Sequence, residues 1–237
     1  VSIWQQTVVW LNDPLNWTNP DGILARTAQH LKISALAVAL AIVVAWPIGI
    51  WLGHLGRGGG LVVTLANLTR AVPTVALLTI LPLTFVGFGE PPVVLALALF
   101  ALPPLLANAY LGVREVDADI KEAARGMGLS GRQAVFRVEI PLAVPYLAAG
   151  FRTAAVQVVA TATLAAFVNG GGLGMIISRG FGLGLAAGGG QVVAGGLIVI
   201  LLCLGLDGGL ALVERLVTPR NLRNSRGRPP TAADAVT

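Results

Sequence analysis

Residues 117–141 read DADIKEAARGMGLSGRQAVFRVEIP, the longest charged, helix-like segment of the chain. Asp117, Asp119, Lys121, Glu122, Arg125, Arg132, Arg137 and Glu139 fall within it, and long runs of Ala, Val, Leu, Ile and Gly lie on both sides. Such a segment between apolar runs is a water-soluble element held at a membrane surface. What surrounds it decides the fold class. Hydrophobic residues make up 55% of the 237-residue chain and charged residues only 11%, with a mean hydropathy of +0.80. Soluble domains carry about 25% charged residues, so this composition cannot cover a globular surface with polar groups. Several runs reach the roughly 20 residues a membrane span needs, and the strict alternation of barrel strands is absent. The fold class is all-α: a polytopic membrane protein with about five transmembrane helices.

The net charge of +5 comes from basic residues scattered over segment ends and one tail. This pattern fits membrane topology rather than nucleic-acid binding. The single cysteine, Cys203, sits in an apolar run as a packing residue, so disulfides and Cys-ligated metals are not expected. No basic n-region with a cleavage site opens the chain, so no cleavable signal peptide is expected.

Residues 1–22 hold Trp4, Trp10 and Trp17 with no Lys or Arg, which suits an interfacial arm on the external side. A first span is predicted over 23–52, with Arg26 and Lys32 at its entry and Pro47 as a possible kink. The loop at 53–60 contains His54, expected as a plain loop residue. A second span is predicted over 61–88, interrupted by Asn67, Arg70, Pro73 and Pro82, and a third over 93–113 with Pro103, Pro104 and Asn108. The paired prolines predict a break that must be buried or line a cavity. A fourth span covers 142–168. The Gly-rich stretch 169–190 is expected to be a loop or re-entrant turn. A fifth span covers 192–213, with Asp207 late in it. The tail 218–237, with Arg220, Arg223, Arg226 and Arg228, is polar, basic and expected to be disordered.

Basic residues cluster in 53–60, 114–141 and the tail, and are nearly missing from 1–22, 87–92 and 169–190. The positive-inside rule then puts the central segment and the C-terminus in the cytoplasm and the N-terminus outside. Within the segment, Asp117 or Asp119 can cap a short helix through Arg125. Gly126-Met127-Gly128 breaks that helix. Ser130 and Gln133 form a capping-box pair opening a second one, and Pro141 marks entry into the next span. The bland reading is a solvated connector, since charge runs usually mean solvated faces.

Glu122-Ala123-Ala124, Gly128 and Val138-Glu139-Ile140-Pro141 stand at the spacing E-A-A-x3-G-x9-I-x-L-P. This resembles the EAA loop of binding-protein-dependent ABC importer permeases, with Val138 and Ile140 as conservative departures. The resemblance covers about residues 23–217. It implies a type I ABC importer transmembrane domain, with 1–22 an external arm and 117–141 a coupling loop. It further implies that Glu122, Ala123, Ala124, Gly126, Gly128 and Pro141 form the element that docks on a separate ATPase subunit. ATP and Mg would bind that partner, leaving this chain without a cofactor. The other implied partners are a second permease subunit, of the same or a related chain, and an external substrate-binding protein. The setting would be a bacterial or archaeal cytoplasmic membrane, and transport would proceed by alternating access. Downstream, Arg152-Thr-Ala-Ala-Val-Gln157, Thr161-Ala-Thr-Leu-Ala-Ala166 and Gly171-Gly-Leu-Gly174 look like osmoprotectant permeases. These import glycine betaine, choline, carnitine or proline betaine. Gly171-Gly-Leu-Gly174 is shared with methionine and taurine importers, which stand as the alternative.

Polar groups in the predicted spans, Arg70, Asn108, Thr161 and Thr163, are candidates for lining the pathway. A quaternary ammonium favours aromatic contacts, and the spans hold few, so selectivity is expected in the external binding protein. No G-x-x-x-x-G-K-[ST] phosphate loop is present, and no His/Cys spacing suits a metal. Asp21-Gly-Ile-Leu-Ala-Arg26 matches part of a CDP-alcohol phosphotransferase motif. Thr18 and Ala35 replace two of its positions and the downstream acidic pair is missing, so the divalent metal of that chemistry has no site. A secondary transporter, the other rival, would need inverted repeats or a membrane carboxylate for ion coupling. No repeat is found, and Asp207 lies too near a span end.

Overall fold

Backbone N–H and C=O groups have no water to bond in a bilayer, so the apolar runs must satisfy them internally, as helices. The computed structural model describes residues 2–217, with side chains throughout except at 66–71. The tail at 218–237 and the side chain of Arg70 lie outside the described residues. The described chain is helical, without a strand. Two short helices, α1 (Ile3–Asn12) and α2 (Leu15–Thr18), lead into α3 (Ile23–Leu55). Then follow α4 (Gly59–Ala71), α5 (Thr74–Ile80) with a 3-10 turn at Leu81–Leu83, and α6 (Glu90–Arg114). The charged segment forms α7 (Ala118–Gly126) and α8 (Gly131–Ala134). A π-helical turn at Val135–Glu139 joins α8 to α9 (Ile140–Thr161), and a 3-10 run follows at Ala162–Val168. The chain closes with α10 (Gly174–Gly182) and α11 (Leu185–Val217).

Among the described residues, four helical runs are long and apolar enough to cross a membrane: Leu15–Leu55, Glu90–Arg114, Gly131–Val168 and Leu185–Val217. The stretch predicted as the second span is divided instead. Pro73 has no N–H to continue α4, and Val72 before it is extended. Three other expectations change. Pro103 and Pro104 do not break α6; both are buried inside it. The Gly-rich stretch 169–190 is largely helical, and the last long helix starts at Leu185 rather than 192. The reason is close packing: a Cβ at Gly188 would lie 2.0 Å from the Gly180 carbonyl oxygen. Finally, His54 is not in a loop but in the last turn of α3.

The core is the contact of α3, α6 and α9. It is built from small residues, including Ala37, Ala41, Ala45, Ala96, Ala101 and Ala154, with Leu97, Leu105 and Val158 between them. Small residues let backbones approach where lipid offers no hydrophobic drive. A Cβ at Gly49 would sit 2.7 Å from the Ala109 Cβ, and one at Gly150 would sit 2.6 Å from the Asn108 Cβ.

At the end of the bundle away from α7, α3 holds the turn after α9. His30 is fully buried. Its Nε2 lies 2.8 Å from the Val159 carbonyl, and its Nδ1 accepts the Leu173 N–H at 3.2 Å. Both ring nitrogens are thus used by the neutral tautomer that carries its proton on Nε2. Gln29 Oε1 accepts the Gly172 N–H at 3.0 Å. Gly171 and Gly172 have φ of +88° and +76°, and a Cβ on Gly172 would sit 2.9 Å from His30 Nδ1. The glycines are needed there because the turn is pressed against α3. Nearby, Lys32 pairs with Glu90 at 2.7 Å, and Asp21 bridges Arg26 and Arg179.

His30→Ala leaves the buried Leu173 N–H without an acceptor, a cost of about 1–3 kcal/mol before any cavity is counted. Gly172→Ala places a methyl against the same ring at a left-handed φ. Both variants are expected to lower the thermal unfolding midpoint of the detergent-solubilised protein, followed by tryptophan fluorescence. An unchanged midpoint would contradict this account of the turn.

Candidate functional site

Helix α7 forms because Asp117 caps it: its carboxylate accepts the Asp119 N–H at 2.9 Å. Asp119 in the first turn and Arg125 in the last complement the helix dipole. The helix ends in a left-handed turn at Gly128, whose φ is +80°. There the Leu129 N–H reaches back to the Ala124 carbonyl at 3.2 Å and the Gly128 N–H to Arg125 at 2.9 Å, closing the open carbonyls. The predicted capping box is present: Gln133 N–H donates to Ser130 Oγ, and the Gln133 side chain accepts the Ser130 N–H.

The helix is rooted on one side and free on the other. Ala124 is buried, and Val116, Ala134 and Val135 are buried beside the bundle end. Lys121 Nζ donates to the Val113 and Arg114 carbonyls at 2.9 and 3.2 Å, capping the C-terminus of α6. Glu122, Ala123, Arg125, Gly126, Met127 and Gly128 are exposed. Ala118, Lys121, Glu122, Arg125 and Gly126 line an open polar concavity.

Pro141 behaves differently from expectation. The helix does not begin at Pro141 but runs on from Gly131. Pro141 has no N–H to donate, and the π turn just before it takes up the misfit, with the Ile140 N–H bonding five residues back to Val135. From Gly131 onward the charged segment and the following span are therefore one continuous rod.

The pathway candidates do not form one cluster. Asn108 donates to the Pro104 carbonyl at 2.8 Å and packs on Gly150 between α6 and α9. Thr161 ends α9, and Thr163 donates to the Ala160 carbonyl at 2.8 Å beside the glycine turn. Gly150 and Thr161 are about 16 Å apart along α9.

Two polar sites escaped the sequence reading. His54 Nδ1 lies 2.9 Å from each carboxylate oxygen of Glu139, which is 2% exposed. This pair ties the end of α3 to the π turn. The second joins α9 to α11. Arg152 grips Asp207 through two bonds, Nε at 2.7 Å and Nη2 at 2.8 Å, and reaches Glu214 at 3.3 Å. Arg152 and Asp207 were each visible as charges in apolar runs. Their pairing across 55 positions was not. Among the described residues no group of three or more His, Cys, Asp or Glu could hold a metal ion.

Residues 45–219 match the family described as binding-protein-dependent transport system inner membrane component. The chain is 36% identical over 209 residues to the glycine betaine/carnitine/choline transport system permease protein OpuCB of Bacillus subtilis (strain 168), covering 88% of this chain and 94% of that one. It is 38% identical to the carnitine transport permease protein OpuCB of Listeria monocytogenes, at the same coverage. An inward-facing structure of the MetNI methionine ABC transporter matches with a TM-score of 0.74 at 22% identity, over 88% of this chain and 100% of that one. That likeness bears on the fold: a type I ABC importer permease. With the match running through α3 to α11 and relatives similar over most of their length, this chain belongs to the family of binding-protein-dependent transport system inner membrane components, as a multi-pass permease subunit of an ATP-driven importer.

Proposed function

We propose that this permease moves a small quaternary-amine osmoprotectant, of the glycine betaine, choline, carnitine or proline betaine class, into the cell. We further propose that α7 is the element through which it is driven. The observation that carries the second part is the position of α7. It is a capped helix standing at one end of the bundle, fixed through Ala124 and Lys121 while Glu122 and Ala123 remain exposed. An exposed, rigidly rooted helix is what a groove on a separate ATPase subunit can grip. The substrate class is supported by relatives at 36% and 38% identity whose names carry these compounds.

In this reading the α7 end of the bundle faces the cytoplasm, and the glycine turn, Glu90 and the 1–22 arm face outward. A second permease subunit completes the pathway, and an external binding protein delivers the substrate. ATP and Mg act on the partner ATPase, whose closure is transmitted as a swing of the spans. Asn108, Thr161 and Thr163 then touch the pathway at two heights, with Arg70 a further candidate.

In proteoliposomes holding the complete transporter, uptake of radiolabelled glycine betaine, choline or carnitine is expected only with ATP on the ATPase side. Uptake of methionine or taurine instead would replace the substrate class, and uptake persisting without ATP would favour a secondary transporter. Gly128→Val forces a β-branched residue to φ +80°, a strain of about 1–3 kcal/mol. The variant is expected to insert normally yet lose uptake, with ATP hydrolysis no longer stimulated by the loaded binding protein. Normal stimulation would count against docking through α7.

A further inference from the structure

Helix α11 is unevenly held. Its buried residues are Gly188, Gly189, Gly190, Ala194, Gly195 and Val199, all in its first half. That half is also tied by hydrogen bonds: Gly190 N–H to Gln6 Oε1, Gln6 Nε2 to the Ala186 carbonyl, and Gln191 Nε2 to the Ile176 carbonyl. From Ile200 to Val217 no residue is buried: Leu202 and Cys203, at its start, pack partly against the cluster of Ile23, Leu173 and Ile176, and beyond them Leu206 and Leu210 pack partly against the main core. The polar tie in that half is the guanidinium of Arg152, gripping Asp207 with two bonds and Glu214 with one.

This placement would be costly for an unpaired guanidinium. Arg152 lies about 18 Å along α9 from Ile140, inside the apolar spanning run. Charges at that depth survive when paired and turned from lipid. A planar two-bond guanidinium–carboxylate contact fixes direction as well as distance. Arg152 also stands on the same continuous rod as the segment beside α7, about 28 Å from Gln133.

The geometry points to Arg152 as a positioning residue for transport: its clamp on Asp207 and Glu214 makes the second half of α11 move with α9. Displacement delivered to α7 and α8 then reaches the last span, instead of being lost between two helices with little apolar contact. The inference rests on the proposed role of α7.

The test uses the complete transporter in proteoliposomes, with labelled glycine betaine uptake and ATP hydrolysis measured in the same vesicles. Cys203, the chain's single cysteine, lies one turn from Asp207 and carries a spin label, with partner subunits made cysteine-free. In Arg152→Gln, uptake per ATP is expected to fall at least about fivefold, the scale of a modest coupling energy, and the label to become more mobile. The charge exchange Arg152→Asp with Asp207→Arg is expected to restore both. Should Arg152→Gln fail to insert, Asp207→Asn takes its place with the same expected result. A neutralised variant that keeps the wild-type uptake per ATP, or an exchange that restores neither readout, overturns the clamp. Gly128→Val, measured alongside, separates the two ideas. If it stays coupled while Arg152→Gln does not, docking through α7 fails and the clamp between α9 and α11 stands. If Gly128→Val uncouples and Arg152→Gln does not, the clamp alone fails.

Discussion

The close approach of α3, α6 and α9 is the constraint on which this structure depends. Lipid tails are as apolar as leucine, so burying side chains gives these helices little reason to associate. What remains is van der Waals contact, and that requires backbones to come near. Gly53 faces the Tyr110 carbonyl, where a Cβ would sit 2.7 Å away, and Gly112 faces Tyr146 at the same distance. Gly49 and Gly150 do the same from either side of α6. Helix α6 is therefore gripped on two faces by positions that tolerate no side chain. The prolines at 103 and 104 are buried within this grip.

Most buried polar groups then find a partner, Arg26 Nε and Trp46 Nε1 being exceptions. His30 uses both ring nitrogens, Glu139 both oxygens, and Arg152 spreads three nitrogens over two carboxylates. Each site joins elements distant in the chain. His30 fixes the glycine turn, His54 and Glu139 fix the π turn, and Arg152 fixes the far half of α11. A paired buried charge is weak evidence for stability but does define which helix sits against which.

Composition and charge placement were enough to make this an all-helical membrane chain, because a low charged fraction is a bulk property that no local detail overturns. The caps of α7 and α8 were legible because Asp117, Ser130 and Gln133 act on residues two or three positions away. The failures were those of distance. Glycines at 188–190 suggested a loop, since the reasons a helix needs them lie elsewhere: Gly188 is pressed against Gly180, eight positions away and folded back, and Gly190 against Gln6 of α1. His54 was read without Glu139, and Arg152 without Asp207. Pro141 suggested a helix start because proline does begin helices. The π turn that lets a helix pass through it leaves no mark in the sequence.

That π turn also bears on how the molecule can work. Had Pro141 begun a new helix, the α8 segment would hinge against the span it precedes, and motion at α7 could dissipate there. Instead the rod from Gly131 to Thr161 is unbroken. The Glu139 carboxylate within its wide turn is held by His54, while Lys121 fastens α7 to the end of α6. The exposed helix is thus anchored to α3, α6 and α9 together, the three helices whose glycine contacts leave no slack. The divided stretch of α4 and α5 joins the same core: a Cβ at Gly59 would sit 2.8 Å from the Tyr110 hydroxyl, and Val62 and Leu78 are buried against α6. A force applied at Glu122 and Ala123 would therefore move the triad as a body.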